Sequence, residues 1–416
     1  MKVKVYRGTE EIGGTCIELT ASNGKILWID LGTPLDTKNP NVDYARNKLD
    51  ALLISHPHKD HVGLMEMVGK NVPIYIGELS LDLINATKIF IGEAPLDGDF
   101  KLIKPWNEFI IADTFKVKTF LTDHSTPESF SFLIEVDGKR VMYSGDFRAT
   151  GRKKMLYDIL IKKPPENIDL LFLEGTMVER ENHKYATEES VEQAIYDVIR
   201  NQDNISFVIS SAQNVDRLVS VLRACKRTNK YLVIDIYTAF ILDMVRKQSK
   251  SIPVIEWEEI KVYEHPSQLK KIINDKSFDE FRERISKQRI GDAVFNSPSK
   301  YVYFVRCPNE KLIEKLRDNG TINIIYSQWD GYLKKEHQQY FTDTINKLKD
   351  ESGISFQIIH TSGHATVPDL IKFAKAIDSK KLVPIHTAYP EKFKIAFEKE
   401  GFENIVLWED GKEYEV

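Results

Sequence analysis

The chain has 416 residues, 42% of them hydrophobic and 29% charged, with a net charge of −4. That is too long for one ordinary domain, too apolar for a disordered chain, and not basic enough for a protein coated in cationic surface. No stretch approaches the roughly 18 uncharged apolar residues of a membrane span, and the alternating start from Met1 to Tyr6 does not read as a signal peptide. A cytoplasmic protein without a membrane partner is expected.

In chain order, the first 150 residues read as short strands at 2–6, 16–20, 25–30, 51–55, 116–121, 130–136 and 139–144. Asn23 with Gly24, and Asp137 with Gly138, lie between such runs and supply the positive φ that hairpin turns need. An antiparallel sheet system is therefore expected. After a strand at 169–174, a helix at 188–201 is followed by a strand at 206–210 and a helix at 215–227. Alternation then continues through 231–235, 301–306, 311–317 and 323–326, as in parallel α/β domains. From 355 come a strand to 360, a helix around 369–377, a strand at 381–385, a helix from 391 and a last strand near 404–408. No repeat or low-complexity linker interrupts the chain, so two units joined by short crossings are expected. Three widely spaced cysteines, Cys16, Cys225 and Cys307, support neither a disulfide framework nor a thiolate metal site.

Three of the ten histidines fall in the run His56, Pro57, His58, Lys59, Asp60, His61, directly after the apolar strand at 51–55. Pro57 excludes a regular helix through the run, so it reads as a loop at a strand end whose imidazoles and Asp60 carboxylate can converge. Neutral imidazole and carboxylate are the protein's zinc ligands when no thiolate is at hand, and they make sites that keep a position open for water. A His-rich polar surface loop is the plain alternative.

His-x-His-x-Asp-His is the signature of the metallo-β-lactamase superfamily, and the chain resembles that family well beyond the run. Asp30, ending the strand before Leu31 and Gly32, matches the aspartate that supports the metal loop from behind. His124, before Ser125, and Asp146, after Gly145, match the third and fourth motifs, the latter a carboxylate that bridges two metals. Glu174, His364 in Ser362-Gly363-His364-Ala365, and His386 after Ile385 resemble the three further motifs of the β-CASP nucleases, the ribonuclease J-like group. The resemblance implies a metallo-β-lactamase αββα sandwich with an inserted parallel α/β β-CASP domain. It places the first part of the host domain at 1–188, the insert at 189–348 and the rest of the host at 349–416.

Residue by residue, the resemblance implies two Zn(2+) per chain, with Mn(2+) as a substitute. His56, His58 and His124 would hold one ion, Asp60, His61 and His386 the other, and Asp146 both. It implies catalytic roles for Asp60, for His364 as general acid and for Glu174 as its orienting partner, and phosphate contacts from Ser362, Gly363 and Ala365. A metal-activated hydroxide would cut phosphodiester bonds of single-stranded RNA, leaving a 5′-phosphate and a 3′-hydroxyl. DNA is the alternative substrate, and exonuclease and endonuclease action and a homo-oligomer all stay open. Ser211, Asn214 and Arg217 resemble the family's turn at the start of an insert helix and are candidate nucleic-acid contacts. Residues 201–340 carry a balance of +5 against −9 elsewhere. Arg217, Arg223, Lys226 and Arg227 are the candidate basic face of a lid that would complete a channel for single strands.

Two departures narrow what carries over. Thr387, Ala388 and Tyr389 stand where the ribonuclease J pattern has glycine and glutamate, and no extra domain follows the last motif before Val416. A metallo-hydrolase of a small phosphodiester, lactone or thioester is the alternative enzyme, but it leaves the long insert unexplained. A non-catalytic nucleic-acid-binding protein would have lost ligands, whereas every ligand has a counterpart here. His183, His265, His337 and His360 have no motif around them and read as surface or packing residues.

Overall fold

The computed structural model describes the chain except residues 36–47, 181–183, 202, 292 and 338–340, so His183 lies outside the described residues. It divides into two units: residues 1–84, 96–182 and 363–416, and residues 85–95 and 183–362.

The first unit contains two sheets. Strands β1 (Lys2–Arg7), β2 (Cys16–Thr20), β3 (Ile26–Ile29), β4 (Ala51–Leu53), β5 (Ile74–Gly77) and β6 (Phe100–Ile103) enter one sheet. Strands β7 (Glu108–Ile111), β8 (Phe115–Leu121), β9 (Phe130–Val136), β10 (Lys139–Tyr143) and β11 (Leu170–Glu174) enter the other. After the second unit the chain returns with β18 (Lys381–Ile385) and β19 (Glu413–Glu415), giving the orders β19-β1-β2-β3-β4-β5-β6 and β18-β11-β10-β9-β8-β7. The expected antiparallel system covers only part of this. The β1–β2 and β2–β3 pairs are antiparallel, but β3 to β6 run parallel, as do β10, β11 and β18. The crossover helix Glu78–Ile91 between β5 and β6 is what makes a parallel connection reachable. At the β9–β10 hairpin Asp137 and Gly138 both adopt positive φ, as the turn requires.

Strand alternation makes the core. Phe130, Phe132, Ile134 and Val136 of β9 point into the layer between the sheets, where they meet Val3, Val5, Ile17 and Leu19. Each such fully buried side chain contributes about 1.5–3 kcal/mol. Leu133 points to the other face, where the helices Lys154–Lys162, Val367–Ile377 and Pro390–Glu398 bury Leu160, Leu370, Phe373 and Phe393. Leu52, Ile54, Ile74 and Ile76 cover the outer face of the first sheet with Val62 and Met65. The layers are thus helix, sheet, sheet, helix. Residues 404–408, expected as a last strand, run beside β18 with a single bridge at Ile405 before the chain leaves to form β19.

The second unit is a six-stranded parallel sheet of β12 (Ile205–Ile209), β13 (Tyr231–Asp235), β14 (Ile260–Tyr263), β15 (Tyr301–Val305), β16 (Ile322–Tyr326) and β17 (Ile354–Ile358), in the order β14-β13-β15-β12-β16-β17. Strands with both faces covered read as unbroken apolar runs, which is why β12 is buried at every position. Because β17 pairs with β16, this unit extends to residue 362, past the 348 at which the resemblance placed its end. Among the described residues no helix is long and apolar enough to cross a membrane.

Candidate metal centre

All the motif histidines and carboxylates belong to the first unit and lie at or just beyond strand ends. The histidine run leaves β4, and its second half is not a loop but a one-turn helix, Lys59–Val62, with His58 at its N-cap. Pro57 therefore excludes helix only from the first half. Backbone bonds from Leu31 to His61 O (2.8 Å), Thr33 to Lys59 O (2.8 Å) and Thr15 to Asp60 O (3.1 Å) fix the turn against the segment after β3 and the residue before β2. Gly32 is required there, since a Cβ would fall 1.6 Å from Asp60 O.

Three groups of ligand atoms converge: His56, His58 and His124; Asp60, His61, Asp146 and His386; and Asp146, Glu174, His364 and His386. In the first, His58 Nδ1 lies 3.1 Å from both His56 Nε2 and His124 Nε2. The N···N edge of a tetrahedral zinc site with bonds of about 2.0–2.1 Å is about 3.3–3.4 Å, so the three nitrogens stand where ligands of one ion would. In the second, His61 Nε2 and Asp146 Oδ2 are 3.2 Å apart, buried, and without a hydrogen bond among the described residues. Two buried polar atoms without a hydrogen bond cost free energy unless His61 is protonated against Asp146 or a cation binds between them. The donor set and these orphans fit a divalent ion. Asp146 Oδ2 also lies 3.7 Å from His56 Nε2, between the two groups.

The opposite edges of the His56, His61, His124 and His386 rings are held, which sets their tautomers. Asp30, 0% exposed, accepts from Ser55 N (2.7 Å), Ser55 Oγ (2.7 Å), Tyr143 OH (2.7 Å) and His61 Nδ1 (2.8 Å). With its proton given to Asp30, Ser55 Oγ accepts from His56 Nδ1 at 3.0 Å, so one carboxylate directs His56 and His61 alike. His124 Nδ1 donates to Gly363 O at 2.6 Å, and His386 Nδ1 meets Thr176 Oγ1 at 2.8 Å, leaving His386 Nε2 3.2 Å from Asp60 Oδ2. Asp30 (φ 57) and His386 (φ 52) both hold left-handed backbone, a strain that structures retain where geometry serves a site.

Electrostatics follow the same grouping. Burial, then the neighbouring imidazoles, drives His56 and His124 well below the usual histidine range, and His58 to about 4. Burial also acts against a charged His61, but the carboxylates of Asp146, Asp30 and Asp60 outweigh it and raise this histidine well above its ordinary value. Burial would raise the carboxyls of Asp60 and Asp146, yet the surrounding histidines hold both low. His364 is raised in spite of burial, by Glu174 first and then Asp146. Its Nδ1 lies 2.9 Å from Glu174 Oε2, whose other oxygen accepts from Phe147 N at 3.0 Å.

The remaining candidates fare differently. Ala365 is buried among helix-facing apolar residues and Ser362 is 8% exposed. Asn214 caps the helix Val215–Thr228 by accepting from Arg217 N, and Ser211 is exposed at the turn before it. Arg217 does not face solvent. It is fully buried, donating through Nη2 and Nε to Glu188 (3.0 and 3.2 Å) and through Nη1 to Ser327 O (2.7 Å). Arg223 and Arg227 lie 3.7 Å from Glu192, and Lys226 3.1 Å from Glu259, so the proposed basic face is largely neutralised. Sequence reading missed Ser55, Tyr143, Thr176 and the Gly363 carbonyl. Ser55 and Thr176 adjoin motif residues, which was the available signal.

A four-layer αββα fold with a His/Asp cluster at its strand ends defines a metallo-β-lactamase-type hydrolase fold. A beta-lactamase superfamily domain matches residues 28–233, and a Zn-dependent metallo-hydrolase RNA specificity domain matches residues 355–407. An RNase J-like protein of Methanocaldococcus jannaschii is 26% identical over 57% of this chain and 58% of its own length. A ribonuclease J of Thermus thermophilus is 26% identical over 52% and 40%. The chain spans about half the length of the curated relatives it matches. A crystal structure of a protein of unknown function from Enterococcus faecalis V583 shares the fold, with a TM-score of 0.75 at 19% identity over 99% of both chains. The chain belongs to the metallo-β-lactamase superfamily, in its ribonuclease J-like β-CASP branch.

Proposed function

We propose that the chain is a zinc-dependent ribonuclease that hydrolyses phosphodiester bonds of single-stranded RNA, leaving a 5′-phosphate and a 3′-hydroxyl. The observation that carries this reading is the convergence of seven ligand side chains, two of them with orphaned buried atoms, beside the His364–Glu174 pair. The matched RNA specificity domain and the ribonuclease J relatives support RNA as the substrate class.

His56, His58 and His124 would hold one zinc, Asp60, His61 and His386 the other, and Asp146 both. When bound, the zinc pair supplies Lewis-acid activation of water and of the phosphodiester. Asp60 Oδ2, 3.2 Å from His386 Nε2, keeps negative charge at the second position. Glu174 holds His364 Nδ1–H and favours the imidazolium, so Nε2–H is the proton offered to the leaving 3′ oxygen. Ser362 and the backbone amides of Gly363 and Ala365 hold the phosphate.

Incubation of the zinc-loaded chain with labelled single-stranded RNA and DNA, bearing a 5′-phosphate, triphosphate or hydroxyl, tests the proposal with products resolved by length. RNA shortened to 5′-phosphorylated products is expected. RNA left intact under conditions in which the chain holds zinc would refute it.

A further inference from the structure

His124 and Asp146 lie on two different loops of the first unit, one between β8 and β9 and the other after β10. Those loops are fastened to each other at several points. Ser129 Oγ and Thr122 Oγ1 donate to Asp146 O at 3.1 and 3.4 Å. Lys153 Nζ donates to Thr126 O and Pro127 O at 3.1 and 2.9 Å. Between them sits an ion pair: Arg148 Nε lies 3.2 Å from Asp123 Oδ1, and Arg148 N donates to Asp123 O at 2.7 Å. Both side chains are 0% exposed. Gly151 closes over them so tightly that a Cβ would stand 2.4 Å from Arg148 Nε and 2.5 Å from Asp123 Oδ2.

A buried ion pair is a poor source of stability, because desolvating two charges offsets most of their attraction. What it adds over apolar packing is direction: the guanidinium fixes the angle and the distance at which the carboxylate can stand. Asp123 immediately precedes His124, and Arg148 follows Asp146 by two residues. We infer that the Asp123–Arg148 pair is a positioning clamp that sets the separation of His124 and Asp146, so that zinc affinity depends on two residues that bind no zinc. The inference rests on the reading of the cluster as a zinc centre.

The test is competition for zinc between a chromophoric chelator and the full chain, stripped of metal, with thermal unfolding of the metal-free form followed in parallel. Arg148→Met and Asp123→Asn are each expected to weaken zinc binding by about 10–100-fold, as losses of outer supporting contacts do. The double variant should lose no more than the worse single one, since both remove one shared interaction. Arg148→Lys, which keeps the charge, should regain part of the loss. Wild-type zinc affinity in variants that merely melt lower would overturn the clamp. Should Arg148→Met fail to fold, Gly151→Ala decides: it keeps both charges and pushes a methyl group against them, and undiminished zinc affinity there overturns the inference. A wild-type chain that binds no zinc would instead overturn the reading of the centre itself, and the clamp with it.

Discussion

Replacing Asp30 with Asn removes one charge while keeping the shape of the side chain. Asn tolerates the left-handed backbone at this position (φ 57), so the change adds no backbone strain. Its NH2, however, must occupy the place of one oxygen. If the amide oxygen keeps Ser55 N–H, the NH2 faces Ser55 Oγ, Tyr143 OH and His61 Nδ1. The two hydroxyls can rotate away. The His61 ring can relieve the clash only by moving its proton to Nε2, the atom that faces Asp146. Flipping the amide spares His61 and orphans Ser55 N–H. Either way one buried donor is unpaired, at about 1–3 kcal/mol, and the others lose a charged acceptor, for about 1 kcal/mol more. The metal-free chain should lose about 2–4 kcal/mol in urea unfolding. Zinc binding should weaken by about 10–100-fold, at the ion held by His61 first. A variant that still takes up two zincs with wild-type affinity in chelator competition would refute the argument that Asp30 sets the His61 tautomer.

His364→Ala should keep its zinc and bind RNA but cleave about 10²–10⁴-fold more slowly, whereas His386→Ala should lose zinc; equal metal loss in both would show the two roles misassigned. Cleavage should fall on the alkaline side, as His364 loses its proton above its raised pKa. Because Glu174 is the largest influence raising that pKa, Glu174→Gln should move the fall to lower pH, and an unmoved pH–rate profile would remove His364 as the acid. Arg217→Met leaves Glu188 buried without its cation and should destabilise the second unit by about 3–5 kcal/mol while zinc content stays at the wild-type level. Unfolding followed by a probe in that unit, with zinc measured separately, checks both halves of the statement.

The convergence of the candidate ligands was legible because its first part is written locally. Four ligand-type side chains in the six residues from His56 to His61 announce a site at any distance from the rest, and the order of Asp30, His124, Asp146, Glu174, His364 and His386 supplied the remainder through family resemblance. The groups that hold those ligands were not legible. Tyr143 meets Asp30 across 113 positions, and Thr176 meets His386 across 210, contacts that exist only once the sheets have formed. Arg217 was misread for a related reason: helical spacing groups it with Arg223, Lys226 and Arg227, but does not say which face is covered, and Glu188 lies 29 positions away. The parallel half of the first sheet escaped because β4 and β5 are three and four residues long, too short for alternation to speak.

The interruption of the host sheets has a consequence for how the chain is made. β11 ends at Glu174 and its parallel neighbour β18 begins at Lys381, so roughly 200 residues separate two adjacent strands. At about 5–20 residues per second, a ribosome needs about 10–40 s to cover that distance. During this interval β11 presents a bare edge, the kind of surface on which nascent chains pair wrongly. The parallel sheet of the second unit, by contrast, has all its strands between Ile205 and Ile358 and can close as soon as they emerge. Translation therefore delivers a finished insert into an unfinished host, and His386, made after the insert, completes the His/Asp cluster last.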